Sequence, residues 1–216
     1  MNPAPASDDV PTYKQRLDAD WDFAMDESVR HFDGRGSVPT TLRTLAASLD
    51  SLGLPYAVAG TMAMFAHGFE RFATKLTVLI DADSLPKIHA ALDGLDYLPV
   101  FKGSKNLKGT VRGVPIEFLI ASGYPGDGLE KPVAFPSPAD ASVEINGVRF
   151  LTLPKLVELK LASGMSNELR LKDIADVISL IQARNLPVSF GEQLDPSVRD
   201  KFIDLVRKIE ADTTDI

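Results

Sequence analysis

The sequence predicts an α+β fold, in which a small mixed sheet with flanking helices on one side is followed by a C-terminal cluster of helices. Short apolar, β-prone runs at 55–59, 76–80 and 114–120 are separated by segments of helical periodicity. An Asn-Gly pair at 146–147 marks a hairpin turn. From residue 153 onward, apolar residues recur mainly at helical spacing.

Composition narrows the class of protein. The chain has 216 residues, 44% of them hydrophobic and 25% charged, which is typical of a soluble globular domain. Its net charge of −7 argues against a large non-specific nucleic-acid surface but leaves room for a local basic groove. Because the sequence has no cysteine, disulfides, thiolate zinc sites and cysteine nucleophiles are excluded.

The sequence carries no targeting signal that we recognise. No apolar run approaches the roughly 20 residues of a membrane-spanning helix, so no membrane partner is expected. Residues 1–10 are polar and lack the basic start and apolar core of a signal peptide. We expect these residues to form a disordered tail. A cytoplasmic, bacterial-type protein is the expectation.

Residues 11–37 predict a single N-terminal helix, which we expect to be an appendage to the domain. Leu17, Trp21 and Val29 recur at helical spacing among charged residues. Trp21 is expected to anchor the packing of this helix rather than to stack on a base. Glycines at 34 and 36 end the helix.

Residues 38–152 are expected to form the α/β core. The predicted elements are a helix at 40–52, strands at 55–59, 76–80 and 114–120, a helix at about 85–94, an extended segment at about 95–102, a basic loop at 103–109, a loop at 121–141 that covers one edge, and a hairpin at 142–152. Residues 153–216 form the C-terminal helical part, with helices predicted at 153–163, 168–184 and 196–211.

One motif runs through residues 60–80. It consists of Gly60-Thr61 at a strand-to-helix turn, Ala63, His67-Gly68 at the end of the short helix, Arg71, and the apolar strand 76–80. Its spacing resembles the signature of the polymerase-β-like nucleotidyltransferases, in particular the small bacterial branch that includes AbiE-type toxins. The resemblance implies a nucleotidyltransferase-like fold with a cleft in which the turn at Gly60 faces phosphate.

The chain departs from this family at the metal site. The resemblance places two metal-binding aspartates at Lys75 and Thr77 and a third carboxylate at Glu117. Such carboxylates would hold two Mg²⁺ ions, for which lysine is no ligand and threonine a weak one. We expect no bound metal or cofactor, and we expect Lys75 to pair with Glu117. The alternatives are a solvated Lys75 and a shifted register in which Asp81 or Asp83 supplies ligands.

A second motif lies in a late helix. Arg170, Lys172, Asp173 and Asp176 match the Arg-x-Lys-Asp-x-x-Asp segment of the AbiE-type toxins. In that family the segment faces the nucleotide cleft, and the preceding helix directs a lysine, here Lys160, at the phosphates. Residues three or four apart share a helix face, so two exposed intrahelical ion pairs are the alternative.

Three functions remain open from the sequence. In the first, a protein with a degraded metal site binds a nucleoside triphosphate or another phosphate ligand through Gly60, Thr61, Arg71, Lys160, Arg170 and Lys172. In the second, Glu117, Asp173 and Asp176 are the catalytic carboxylates of an active enzyme with an altered site and Mg²⁺ as its cofactor. In the third, the chain is a structural or toxin–antitoxin-type interaction protein with a protein partner or as a homodimer.

A nucleic-acid partner is also left open by the sequence. Lys105 and Lys108 lie in the predicted basic loop at 103–109, which is bounded by glycines. They are either contacts for the phosphates of an acceptor or the solvated tip of a hairpin.

Overall fold

The computed structural model of the protein describes residues 11–94 and 97–214. The tail predicted at 1–10 therefore lies outside the described residues. The helices in the described part are α1 (Tyr13–Ala19), α2 (Trp21–Phe32), α3 (Ser37–Ser51), α4 (Gly60–Ala66), α5 (Ser84–Leu92), α6 (Pro138–Ala141), α7 (Leu153–Ser166), α8 (Leu171–Arg184) and α9 (Pro196–Thr214). Short 3-10 turns at Glu168–Arg170 and Val188–Gln193 join the last three helices.

Seven strands form one sheet in the described residues. They are β1 (Tyr56–Ala59), β2 (Leu76–Ile80), β3 (Tyr97–Pro99), β4 (Asn106–Gly109), β5 (Pro115–Ile120), β6 (Ser142–Ile145) and β7 (Val148–Leu151). Their order in the sheet is β3-β4-β5-β2-β1-β7-β6. β1 runs antiparallel to β2 and parallel to β7, while β2 runs parallel to β5. The predicted mixed sheet and α+β class are confirmed.

The strand register determines which side chains share a face of the sheet. Thr77 lies opposite Glu117, and Glu117 lies opposite Asn106 on the next strand. Because residues opposite one another point to the same side, these three side chains lie on one face. On the other face Leu76 lies opposite Ile116, and both are buried.

The N-terminal segment forms two helices rather than the single one predicted. The chain leaves the helical conformation at Asp20, whose side chain accepts a hydrogen bond from the amide of Phe23 and so starts α2. This break also places Trp21 at the start of a new helix on its outer face, where it is 76% exposed. The prediction that Trp21 anchors the packing is wrong.

The N-terminal helices belong to the core, which corrects the expectation of an appendage. Tyr13 is fully buried, and its hydroxyl donates a hydrogen bond of 2.8 Å to the carboxylate of Glu27. Burial and, after it, this bond raise the pKa of Tyr13 far above its usual value, so the hydroxyl remains a donor. Glu27 also accepts from the amide and the hydroxyl of Ser37, which fixes the start of α3.

Most predicted elements in the rest of the chain are found, with differences in some bounds and in two predicted loops. The bounds of β2 agree with the prediction, and the hairpin turns at Asn146 and Gly147, both with positive φ. The predicted loop at 103–109 contains strand β4, the predicted loop at 121–141 contains the short helix α6, and α7 extends three residues beyond its predicted end. Within the described residues, the helices include none with the length and apolar content needed to cross a membrane.

Candidate functional site

A cleft of about 560 Å³ opens above the sheet face that carries Thr77 and Glu117. The start of α4, helices α7 and α8, and a loop at 121–137, here called the cleft loop, complete its walls. Ten of the residues predicted for the site line this cleft, namely Gly60, Thr61, Lys75, Thr77, Glu117, Lys160, Arg170, Lys172, Asp173 and Asp176. Arg71 is not part of the lining, but it contacts Asp176. The structure therefore brings the two sequence motifs together.

The turn at Gly60 lies directly against β2. Gly60 has a φ of +62°, and a Cβ atom there would lie 3.2 Å from Oγ1 of Thr77. Ala59 caps the short helix α4 without a side-chain hydrogen bond, and Thr61 follows in its first turn. Only glycine fits both the backbone conformation and the close approach to Thr77.

Lys75 forms the predicted ion pair with Glu117. Its Nζ lies 2.5 Å from Oε2 of Glu117, and the two side chains are 55% and 32% exposed. The alternative of a shifted register is not found, because β2 spans Leu76–Ile80 as predicted and neither Asp81 nor Asp83 lines the cleft. The pair therefore lies at the mouth of the cleft, in contact with water.

Asp176 lies at the inner end of the cleft and is almost completely buried. Nη1 of Arg71 donates to its Oδ1 at 2.5 Å, and Nζ of Lys160 donates to its Oδ2 at 2.5 Å. Both oxygens are thus occupied by basic groups from other parts of the fold. This corrects the alternative of an exposed pair between Lys172 and Asp176.

Asp173 is the second buried carboxylate of the cleft. Its Oδ1 accepts from Lys160 at 3.1 Å, while its Oδ2 accepts from Ser163 at 2.7 Å and from Nε of Arg170 at 2.8 Å. Burial disfavours its ionised form, but the charge of Lys160, the bond from Ser163 and the charge of Arg170 together hold the pKa of Asp173 below its usual value. It is therefore a carboxylate at neutral pH.

Arg71, Lys160, Ser163, Arg170, Asp173 and Asp176 are called the ion cluster below. Three basic side chains surround two carboxylates in this cluster, which leaves it with one surplus positive charge. Lys172 is exposed beside it and forms no ion pair with any residue in the described ranges. The inner cleft consequently favours an anionic ligand.

The backbone of Arg71 is held by a residue that sequence reasoning did not assign to the site. Nε2 of His31 bonds to the carbonyl of Arg71 at 3.1 Å. A carbonyl only accepts, so Nε2 carries the proton. His31 is fully buried beside Phe65 and Phe72, and burial is the main cause of its lowered pKa. Helix α2 thereby positions an arginine of the ion cluster.

The cleft loop was also missed as part of the site, although the Gly-Asp-Gly turn at 126–128 was a signal. Two backbone bonds between Ser122, Gly123 and Phe135 close its neck. At its tip Gly126 presses against α7, where an added Cβ would lie 2.8 Å from the carbonyl oxygen of Ser163. Lys131 pairs with Asp127 and stiffens the tip. The loop covers the cleft rather than only an edge of the sheet.

The donor set does not fit a pair of magnesium ions. Among the described residues, no cluster of three or more histidine, aspartate or glutamate side chains has a geometry that could hold a metal ion. Glu117 is paired with an ammonium, and all four oxygens of Asp173 and Asp176 accept from basic or hydroxyl groups. A divalent ion would have to displace these cations before it could bind.

No protein-family model matches the chain, and no curated protein is significantly similar to it. Solved structures to which it is similar include an antigenic nucleotidyltransferase-like protein from Paracoccidioides brasiliensis, at 19% identity and a TM-score of 0.44 over 66% of this chain and 74% of that one. ANT(2")-Ia, in complex with adenylyl-2"-tobramycin, is 12% identical with a TM-score of 0.45, over 79% and 97% of the two chains. JHP933 from Helicobacter pylori is 12% identical with a TM-score of 0.43, over 80% and 92%.

Proposed function

We propose that this protein is a nucleotidyltransferase-like module that binds a nucleotide or another phosphate-bearing ligand in its cleft without two-metal catalysis. The observation that carries the proposal is the Lys75–Glu117 ion pair. It lies where the family resemblance of the sequence expects carboxylates that hold metal ions. An ammonium already neutralises the carboxylate that remains there, so the cleft needs no divalent ion to balance its charge.

The charges of the cleft support an anionic ligand. Five basic and four acidic residues line it, although the whole chain has a net charge of −7. The ion cluster has one surplus positive charge when Arg71 is counted, and Lys172 is exposed beside it. Phosphate oxygens can accept from Lys172 and from the amide and hydroxyl groups of Thr61.

The two other functions are less well supported by this geometry. An enzyme with an altered site would need free oxygens on Asp173 and Asp176, and these oxygens are all engaged. A purely structural protein would not require the exposed Lys172, which has no ion-pair partner among the described residues, within a cleft of this volume. The nucleotide titration described next can distinguish both of these functions from the proposed one.

Calorimetric titration with ATP, GTP, CTP and UTP, each with and without Mg²⁺, tests the proposal on the full chain. We expect binding of at least one nucleotide that does not depend on the metal, and no release of pyrophosphate. Lys172→Gln should weaken this binding, whereas Lys208→Gln, on the distant helix α9, should leave it unchanged. Metal-dependent turnover would establish the altered-site enzyme, and no binding at all would establish the interaction protein.

A gain-of-function variant tests the placement of the missing metal site. Lys75→Asp combined with Thr77→Asp would place two carboxylates beside Glu117, which lies opposite residue 77 in the register. We expect this variant to bind Mg²⁺ in a titration, because three carboxylates then converge on one face. Lys75→Asn with Thr77→Asn is the matched control of the same size without the charge. Equal metal affinity in the two variants would contradict the assignment.

A further inference from the structure

Helix α2 carries a second apolar face, which points to solvent. On its inner side Glu27 and His31 are buried in the core. On its outer side four large apolar side chains, here called the α2 stripe, are exposed, namely Trp21, Met25, Val29 and Phe32. Because they follow one another at intervals of three or four residues, they lie on one side of the helix. The helix is therefore anchored in the core on one side and apolar toward solvent on another.

The apolar surface continues beyond α2. The ring of Phe32 stacks on that of Phe65 in α4, with centroids 6.3 Å apart and an angle of 27° between the planes. Phe65 is itself only partly buried, so the surface extends from one helix onto the next. Single exposed apolar residues are common on proteins, but a contiguous patch of them marks a contact with another molecule.

The α2 stripe is complementary to itself in antiparallel orientation. When the midpoints of two α2 helices coincide, Trp21 lies opposite Phe32 of the second copy. Met25 then lies within one residue, or about 1.5 Å along the axis, of the position opposite Val29 of the second copy. Aromatic rings thus meet at both ends and aliphatic side chains meet at the centre. A two-fold axis requires that one patch serves both partners in this way.

The charges along α2 favour the same orientation. Residues 20–26 contain three aspartates and no basic residue, whereas residues 30–35 contain two arginines and one aspartate. An antiparallel copy places the acidic half of each helix beside the basic half of the other, while a parallel copy would place like charges together. Such complementarity selects the orientation of an interface more than it adds affinity.

We propose that the protein forms a symmetric homodimer in which the α2 helices of two copies pack antiparallel along the α2 stripe. This inference goes beyond the proposed function and does not depend on it, since none of the described cleft-lining residues belongs to α2. A single helix pair is small beside the roughly 800 Å² per partner of a standard interface. We therefore expect a micromolar rather than a nanomolar dissociation constant.

Two other occupants of the stripe fit less well. A helix that lies on a membrane surface carries mainly Lys and Arg on its polar face, whereas α2 exposes Asp22 and Asp26 beside Arg30. Residues 1–10 offer only Met1 and Val10 as large apolar side chains, too few to cover four. A second copy supplies both the apolar area and the opposite charges.

Sedimentation equilibrium of the full chain over about 1 µM to 1 mM, a range that resolves weak and moderate affinities, measures the dimer. Trp21 is the only tryptophan of the sequence, so its fluorescence reports on the stripe alone. We expect the mass to rise to that of two chains and the emission of Trp21 to shift to the blue over the same concentrations. A mass of one chain throughout would overturn the inference.

A charge at the centre of the stripe should abolish the dimer. Val29→Glu should weaken dimerisation by at least about thirtyfold, because it places two carboxylates in the apolar centre of the interface. Val111→Glu is the matched control, since Val111 lies away from α2 and is 70% exposed, against 62% for Val29. The control should dimerise like the parent chain. Dimerisation of Val29→Glu with unchanged affinity would place the interface elsewhere and contradict the proposal.

A mixture of two variants tests the antiparallel orientation. Asp22→Arg and Arg30→Glu should each weaken the homodimer about three- to tenfold, because each introduces like charges at two symmetric positions. In an equimolar mixture the heterodimer has opposite charges at both positions again, so its affinity should return close to that of the parent chain. If the mixture associates no more tightly than either variant alone, the antiparallel arrangement is wrong.

Vesicles of phosphatidylcholine and phosphatidylserine test the competing occupant. We expect no additional blue shift of Trp21 when they are added to the dimer, and no sedimentation of the chain with them. Vesicle binding that Val29→Glu abolishes, in a chain that has the mass of a monomer without lipid, would assign the stripe to a membrane and overturn the inference.

Discussion

Lys75 and Lys160 are both bonded to carboxylates in the cleft, yet their surroundings give them different roles. The side chain of Lys160 is only 10% exposed and bridges two buried aspartates. The side chain of Lys75 is in contact with water and has one partner, Glu117. Solvent screens the pair between Lys75 and Glu117, but it does not screen the buried pairs of Lys160. Loss of Lys160 would leave two buried carboxylates short of a partner, whereas Lys75 mainly sets the charge at the mouth of the cleft.

The first prediction concerns the exposed pair. Glu117→Gln removes the charge that Lys75 faces, and we expect the free energy of unfolding to change by less than about 1 kcal/mol, as for other exposed pairs. Asp176→Asn, which disrupts a buried pair, is the comparison and should cost about 3–5 kcal/mol. Urea unfolding at neutral pH measures both. Equal losses in the two variants would show that the Lys75–Glu117 pair is shielded from water.

The second prediction concerns the decrease in the free energy of unfolding at acid pH, here called the acid limb. Because the folded-state pKa of Asp173 is lowered, its contribution is present above the unfolded value of about 3.9 and is lost as the pH falls through the folded value. Asp173→Asn should destabilise the protein at pH 7 and flatten the dependence of stability on pH below about 4. Urea unfolding at several pH values between 3 and 7 checks this.

Asp204 supplies the control for this pH dependence. Its pKa is also lowered, chiefly by the hydrogen bond from Lys208, but its carboxylate lies at the surface of α9, outside the ion cluster. Asp204→Asn should leave the acid limb close to that of the parent chain. An acid limb that is equally steep with and without Asp173 would be incompatible with the role given to the ion cluster.

At the scale of elements, the turn that starts α4 depends on glycine. Gly60→Ala forces a positive φ on a residue with a Cβ and brings that Cβ against Thr77, so we expect a loss of about 1–3 kcal/mol in the free energy of unfolding. Gly53→Ala is the matched control, since its φ is also positive but the space around it is open. Thr77→Ala should recover part of the additional loss, which a double-mutant cycle measures.

The cleft loop gives a second prediction at this scale. Gly126→Ala would place a Cβ 2.2 Å from the Oγ of Ser166 and 2.8 Å from the carbonyl of Ser163, so the tip must lift from α7. We expect faster cleavage of the loop by a protease under native conditions. Gly128→Ala has a similar positive φ with open space around it and should be cleaved at close to the parent rate. Equal cleavage of both variants would show that contact with α7 does not hold the loop.

The elements that the sequence did not predict are those formed by their neighbours. Strand β4 reads Asn-Leu-Lys-Gly, which has low β-propensity, and it is a strand because β3 and β5 pair with it on both sides. Strand β2 is continuous and apolar, and its bounds followed from composition alone. The break at Asp20 was missed because the apolar spacing continues across it.

The site, too, contains residues that the sequence motifs predicted and contacts that only the packing of distant segments creates. The family resemblance of the two motifs predicted that Gly60, Glu117 and Asp173 share one cleft, and all three line it. The sequence could not reveal that the carbonyl of Arg71 accepts a hydrogen bond from His31, because forty residues separate them and only packing brings them together. The same holds for the contact of Gly126 with Ser163.

At the scale of the whole molecule, the N-terminal helices share one core with the sheet. Tyr13→Phe removes only the hydroxyl that bonds to the buried Glu27, and we expect a loss of about 1–3 kcal/mol, since the acceptor is charged. Thermal unfolding should remain a single transition. Lys14→Gln, which removes an exposed pair on the same helix, should cost less than about 0.5 kcal/mol. A separate early transition in Tyr13→Phe would instead mark these helices as an independent unit.

The strand order has a consequence for synthesis of the chain. β1 lies inside the sheet between β2 and β7, and its parallel partner β7 ends only at Leu151. A ribosome must therefore release the chain up to Leu151 before β1 can acquire its second neighbour. Until then one edge of β1 stays open to wrong pairing, and a nascent chain stalled before residue 148 should be recognised by chaperones.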